Sequence, residues 1–122
     1  MESILTSVKR QLGIVEGYQQ FDADIIMHIN TVFTILTQLG VGPKGGFSIK
    51  DGMEPWTDFV KEGDTRFEAV KTYMGLRVRM LFDPPTSGIV AEAINHSISE
   101  LEWRLNVSAE TPCLGEEVGD GS

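Results

Sequence analysis

Cysteine is almost missing from this chain. Cys113 stands alone, so no disulfide can form within it, and synthesis in a reducing compartment is favoured. Long apolar runs are missing as well. Nothing approaches the roughly 20 residues that a membrane span needs. Met1 to Leu12 has no apolar stretch followed by small residues, so no signal peptide is expected. Basic residues are scarce: 10 Lys and Arg face 18 Asp and Glu, and the net charge is −8. That balance works against a protein that grips nucleic acid phosphates. It suits one that must stay soluble, or one that lets DNA pass without sticking. Lys71, Arg77 and Arg79 point in different directions around one helix, so no basic recognition face forms. There are no internal repeats.

Catalytic constellations are also lacking. Gly40-Val41-Gly42-Pro43-Lys44-Gly45 matches G-x-G-x-x-G literally, but that fingerprint needs a strand before it and a helix after it. Here the glycines follow a helical pattern and lead into a loop. Lys44 precedes Gly45 instead of Ser or Thr, which excludes a P-loop. Asp24 and His28 lie one helical turn apart, yet no third metal ligand stands near them. His96 is solitary, and Cys113 has no histidine at a telling spacing. The expectation is a chain without metal, cofactor or catalytic residues, and not an enzyme.

What is present is helical periodicity. Thr65 to Pro85, "TRFEAVKTYMGLRVRMLFDPP", carries two adjacent apolar stripes. Phe67, Val70, Met74, Val78 and Leu81 form one; Ala69, Tyr73, Leu76 and Met80 form the other. Together they exceed the width that one-sided packing requires, which places this helix at the centre. Thr65 and Glu68 have capping-box spacing, and Pro84-Pro85 ends the segment. Before it, Ile4, Leu5, Val8 and Leu12 share a face on a short helix ended by Gly13. Asp22 can cap a longer helix whose face is Ile25, Ile29, Val32, Leu36 and Leu39, with Gly40 at its end. After the prolines, Thr86 or Ser87 caps a last helix with a buried face of Val90, Ile94, Ile98, Leu101 and Leu105.

Between Gly40 and Asp64 the helical period disappears, and six of the thirteen glycines fall there. Phe47-Ser48-Ile49-Lys50 alternates enough for a short strand or hairpin arm. "PWTDFV" suits one helical turn carrying Trp56 and Phe59. Residues 108–122 hold four acids and neither a basic nor an aromatic residue, the composition of a disordered tail. The reading is therefore all-α: about four bundled helices over residues 1–107, a long glycine-rich loop that can hold a short β-hairpin, and a disordered acidic tail at 108–122.

Several side chains break these patterns and become candidate contacts with other subunits or partners. Arg77 falls between the apolar stripes of the central helix, where a charge must snorkel outward or find a carboxylate, within the fold or across a subunit boundary. Trp103 projects away from the Val90–Leu105 face, in line with Ile89 and His96 at seven-residue spacing. Either the first helix or the 40–64 loop covers that stripe, or another subunit does. Trp56 and Phe59 pose the same question.

The strings "MLFDPPTS" (Met80–Ser87), "EAINHSISELEWRLN" (Glu92–Asn106), "FDADIIMHINTVFTILTQLGVGP" (Phe21–Pro43) and "PWTDF" (Pro55–Phe59) occur here in one chain. In their order along the chain they resemble the head–tail connector proteins of tailed bacteriophages. These are often labelled DNA-packaging or head-completion proteins and are common in prophages of Gram-positive bacteria. The likeness runs over roughly residues 3–107. It implies a mostly helical structural subunit that forms a dodecamer-like ring of identical copies beneath the portal protein. Such a ring extends the DNA channel without binding DNA specifically, and docks the next connector or tail-completion protein. It also implies assembly in the host cytoplasm, residence at the head–tail junction of the virion, and no membrane. The rival reading is a small acidic helical module that binds or regulates another protein.

Overall fold

A computed structural model describes residues 3–15, 17–61 and 63–110. Four α-helices account for most of it: α1 (Ile4–Leu12), α2 (Asp22–Gln38), α3 (Phe67–Phe82) and α4 (Gly88–Glu110). No strand occurs among the described residues; the only β pairing is an isolated bridge between Ser3 and Pro55. The all-α reading holds. Glu110 ends a helix that continues past residue 107, and residues 111–122, with Cys113 and most of the acidic stretch, lie outside the described residues.

The helix bearing two apolar stripes does sit at the centre. α3 packs against α1, α2 and α4, while α1 also packs against α2. Val70, Tyr73, Met74 and Val78 are fully buried, and Leu76 and Met80 partly so. Leu81, at the end of the first stripe, is exposed. A helix that touches neighbours on three sides must be apolar around most of its circumference.

The start of α3 differs from the capping-box expectation. The helix begins at Phe67 with Arg66 in the cap position and no side-chain cap. Asp64 has taken over instead, accepting from the Arg66 backbone N–H at 2.8 Å and from its guanidinium at 3.2 and 3.1 Å. Those bonds, the guanidinium's first, hold the Asp64 carboxyl below the usual carboxylate range. With the start displaced two residues beyond Thr65, Glu68 falls inside the first turn and pairs with Lys71 at 3.6 Å.

The other helix ends follow local chemistry. Ser3 caps α1 by accepting the Thr6 N–H at 3.1 Å. Gly13 ends it at φ 81°, with the N–H groups of Gly13 and Ile14 returning to the carbonyls of Arg10 and Lys9; only glycine adopts that backbone readily. Ser87 caps α4 through the Val90 N–H at 3.3 Å. Asp22 is not the cap of α2, as its spacing suggested, but its first residue. Its carboxylate lies 2.8 Å from the Lys9 ammonium, which also donates to the Tyr18 carbonyl at 2.6 Å. A lysine almost wholly enclosed needs such partners, since an unpaired charge there would be costly.

The glycine-rich segment is packed, not loose. Phe47-Ser48-Ile49-Lys50 forms no strand, because the Asn30 side chain takes the part of a pairing strand. It accepts the Ile49 N–H at 2.8 Å and donates to the Ile49 carbonyl at 3.0 Å. Glu54 closes the next bend by accepting the N–H groups of Lys50 and Gly52 at 2.7 and 3.1 Å. "PWTDF" makes the expected single turn, a 3-10 turn at Trp56–Asp58. Phe47, Trp56 and Phe59 all fold onto Phe33 of α2, with ring centroids 4.9, 6.5 and 4.6 Å away. The segment is a cover over the α2–α3 core.

Candidate functional site

The inner face of α4 is anchored to the bundle by Ile98 and Leu105, both buried, with Ile94 and Leu101 partly covered beside them. Val90, expected on that buried face, is exposed. Helix α4 begins just past the Asp83–Pro85 corner, and its first turn has no helix packed against it; contact with the core starts at Ile94. At its far end Asn106 donates to the Leu39 carbonyl at 3.3 Å, tying α4 to the end of α2.

Arg77 has its carboxylate, and it lies within the fold. Its guanidinium forms an ion pair with Glu102 of α4. Tyr73, fully buried one turn earlier, donates its hydroxyl to Glu102 Oε2 at 2.7 Å and accepts from Arg77 Nε at 3.1 Å. This three-membered junction locks α3 to α4. Burial pushes the Glu102 carboxyl up, but the Tyr73 and Arg77 hydrogen bonds outweigh it and leave the group below its ordinary value. Burial and the Glu102 hydrogen bond drive the Tyr73 phenol up to about 12. Glu102 was invisible in the sequence because nothing in its spacing links it to α3; the Tyr73–Arg77 separation of four residues was the available hint.

Two expected outcomes follow from this junction. Glu102→Gln should cost about 1 kcal/mol at neutral pH, the worth of a charged hydrogen bond reduced by the water that reaches both partners. A carboxyl lowered by folding stabilises fully above the ordinary carboxylate range and loses that contribution as pH falls through the folded value. Urea midpoints of the two chains should therefore converge in acid; a constant gap would deny the ion pair its role. At the alkaline end a phenol raised by folding leaves stability intact below its ordinary value of 10.0 and removes it progressively up to about 12. Tyr73→Phe should abolish a step near 12 in the tyrosinate absorbance of the folded protein.

The six sequence candidates divide cleanly. Trp56 (1% exposed) and Phe59 lie in the core, packed within the chain. Arg77 is spent on Glu102. Ile89 (82%), His96 and Trp103 (67%) face outward on α4, and neither α1 nor the 40–64 segment covers them. Val107 joins them at 37%. Among the described residues the stripe is an exposed face of α4, opposite the side that Ile98 and Leu105 bury.

A second open feature lies at the α1–α2 connection, where Ile14, Val15, Tyr18 and Phe21 line an apolar groove of about 570 Å³. Phe21 stacks edge-on with Tyr18 and with Phe82 of α3. Sequence reasoning passed over this connector because no helical or strand period marks it. Asp24 and His28 gain no third ligand: among the described residues no cluster of three His, Cys, Asp or Glu could hold a metal. Among those residues, too, no helix is long and apolar enough to cross a membrane.

The family model described as "Phage connector protein" matches residues 4–112, from the first turn of α1 to beyond the last turn of α4. No curated protein and no solved structure matches the chain.

Proposed function

The chain belongs to the phage connector protein family, and from that premise we propose that it is a structural head–tail connector subunit of a tailed phage or prophage. Identical copies form a ring under the portal, extend the DNA channel and provide the surface on which the next connector or a tail-completion protein docks. Subunits are made in the host cytoplasm and end at the head–tail junction of the virion. The role asks for no catalytic group.

The observation that supports this reading best is the uncovered stripe of Ile89, His96 and Trp103. A large aromatic left in water on a helix whose other face already completes the core is the mark of a contact surface. The net charge of −8 suits a conduit, because an acidic wall repels phosphate and lets DNA slide.

The test is the native mass of this protein mixed with the portal from the same genome. A portal-bound ring of matched copy number is expected. Free protein beside an intact, competent portal would remove direct portal docking and favour a small acidic interaction module.

A further inference from the structure

The open face of α4 has an internal order that the connector role does not require. Ile89, Ala93, His96, Glu100, Trp103 and Val107 are spaced alternately four and three residues apart, and all six are exposed. That is the a/d seam of a coiled coil, running over 18 residues or about 27 Å of helix. It lies opposite Ile98 and Leu105, which hold α4 to its own bundle. The seam is thus a second packing face, and its residues read differently in the two directions.

Set antiparallel against a copy of itself about a two-fold axis near residue 98, the seam is self-complementary. Ile89 meets Val107 of the partner subunit, apolar against apolar. Ala93 meets Trp103 of the partner subunit, so the smallest side chain leaves room for the largest. His96 meets Glu100 of the partner subunit, where an imidazole N–H can donate to a carboxylate. Each pairing occurs twice. In the parallel direction the same seam stacks Glu100 on Glu100 and Trp103 on Trp103, which sets like charges together and crowds the indoles.

We infer that the free chain associates as an antiparallel dimer through the outer face of α4, with a second copy of this chain covering Trp103. The pairing uses the same stripe that supports the connector reading but does not rest on that reading, since it needs only α4. A two-fold contact is closed and cannot propagate into a ring. If the ring uses the same face, docking must first separate the dimer.

The experiment uses the full chain carrying Cys113→Ser, so that added thiols are the only ones. The double variant Ile89→Cys/Val107→Cys should cross-link between copies under mild oxidation, because the antiparallel pairing sets position 89 of one copy against position 107 of the other. Val107→Cys alone should not, since its own counterpart lies at the far end of the seam. Sedimentation should give twice the chain mass at tens of micromolar. Trp103→Ala should raise the dimer dissociation constant at least about 30-fold, as an aromatic anchor used twice, and should leave the thermal midpoint unchanged only at concentrations where both chains are monomeric. Cross-linking of Val107→Cys alone, or none in the double variant, would overturn the antiparallel arrangement. A monomer throughout, a larger ring of the free chain, or a dimer indifferent to Trp103→Ala would overturn the interface.

Discussion

Trp56→Ala is expected to lower the stability of this protein by about 3–5 kcal/mol, the range for emptying a large aromatic site in a core. The indole is 1% exposed and lies 6.5 Å from the Phe33 ring and 6.1 Å from the Phe67 ring, centroid to centroid. It therefore bridges the 3-10 turn to both α2 and α3. Its Nε1 has no hydrogen-bond partner among the described residues, so the loss is one of apolar burial and packing. Against a usual total of about 5–15 kcal/mol, that removes a large share of the fold's margin. Trp103→Ala deletes the same side chain from an exposed site and should change monomer stability by no more than about 0.5 kcal/mol. Urea unfolding of the two variants, followed by circular dichroism, checks the contrast. Comparable losses would place Trp103 in the core or Trp56 outside it.

That contrast also shows what the sequence could and could not convey. Period located the helices, because a face that packs must repeat near every 3.6 residues. Two stripes on Phe67–Phe82 were enough to place α3 between neighbours, and the structure puts it against all three other helices. The same logic detached Trp103 from the buried face of α4. Trp56 offered no such signal. It sits in a segment without period, where burial depends on how the chain returns to Phe33, a residue more than twenty positions earlier. Partners were equally opaque. Spacing marked Arg77 as a charge in an apolar setting but could not name Glu102, which arrives on another helix. Asn30 satisfied the backbone of Ile49 and removed the reason for a strand that local alternation had suggested. At Thr65 two local signals competed, and Asp64 with Arg66 displaced the capping box.

The open features share a physical origin. α3 uses most of its apolar surface on three neighbours and α2 gives much of its own to the aromatic cover, which leaves single exposed side chains, Leu81 and Met27, and no stripe. Helix α4 is held from one side only, which leaves an entire face available over five turns. A face on a rigid helix, anchored by Ile98, Leu105 and the Glu102 junction, is presented without ordering a loop first. That lowers the entropic cost of association.

Gly42→Ala is the second large effect expected, about 2–5 kcal/mol. Gly42 has φ +95°, a backbone that costs an L-residue about 1–2 kcal/mol. An added Cβ would also stand 2.3 Å from Phe59 Cε1 and 2.7 Å from Phe59 Cζ. That ring cannot swing away freely, because it is buried against Phe33 at 4.6 Å and Phe47 at 5.4 Å. Overpacking of this kind adds roughly 1–3 kcal/mol. Gly45 supplies the control, since a Cβ there meets nothing within 4 Å. Gly45→Ala should be neutral or raise stability by a few tenths to about 1 kcal/mol by restricting the unfolded chain. Urea midpoints of the two variants would decide the matter, and equal values would mean that Phe59 does not press on Gly42. If they differ as expected, the glycine spacing from Gly40 to Gly45 owes its likeness to a dinucleotide fingerprint to helix termination and an aromatic ring. The close approach that excludes a Cβ is made by Phe59, in the place where such a fingerprint would bring a phosphate.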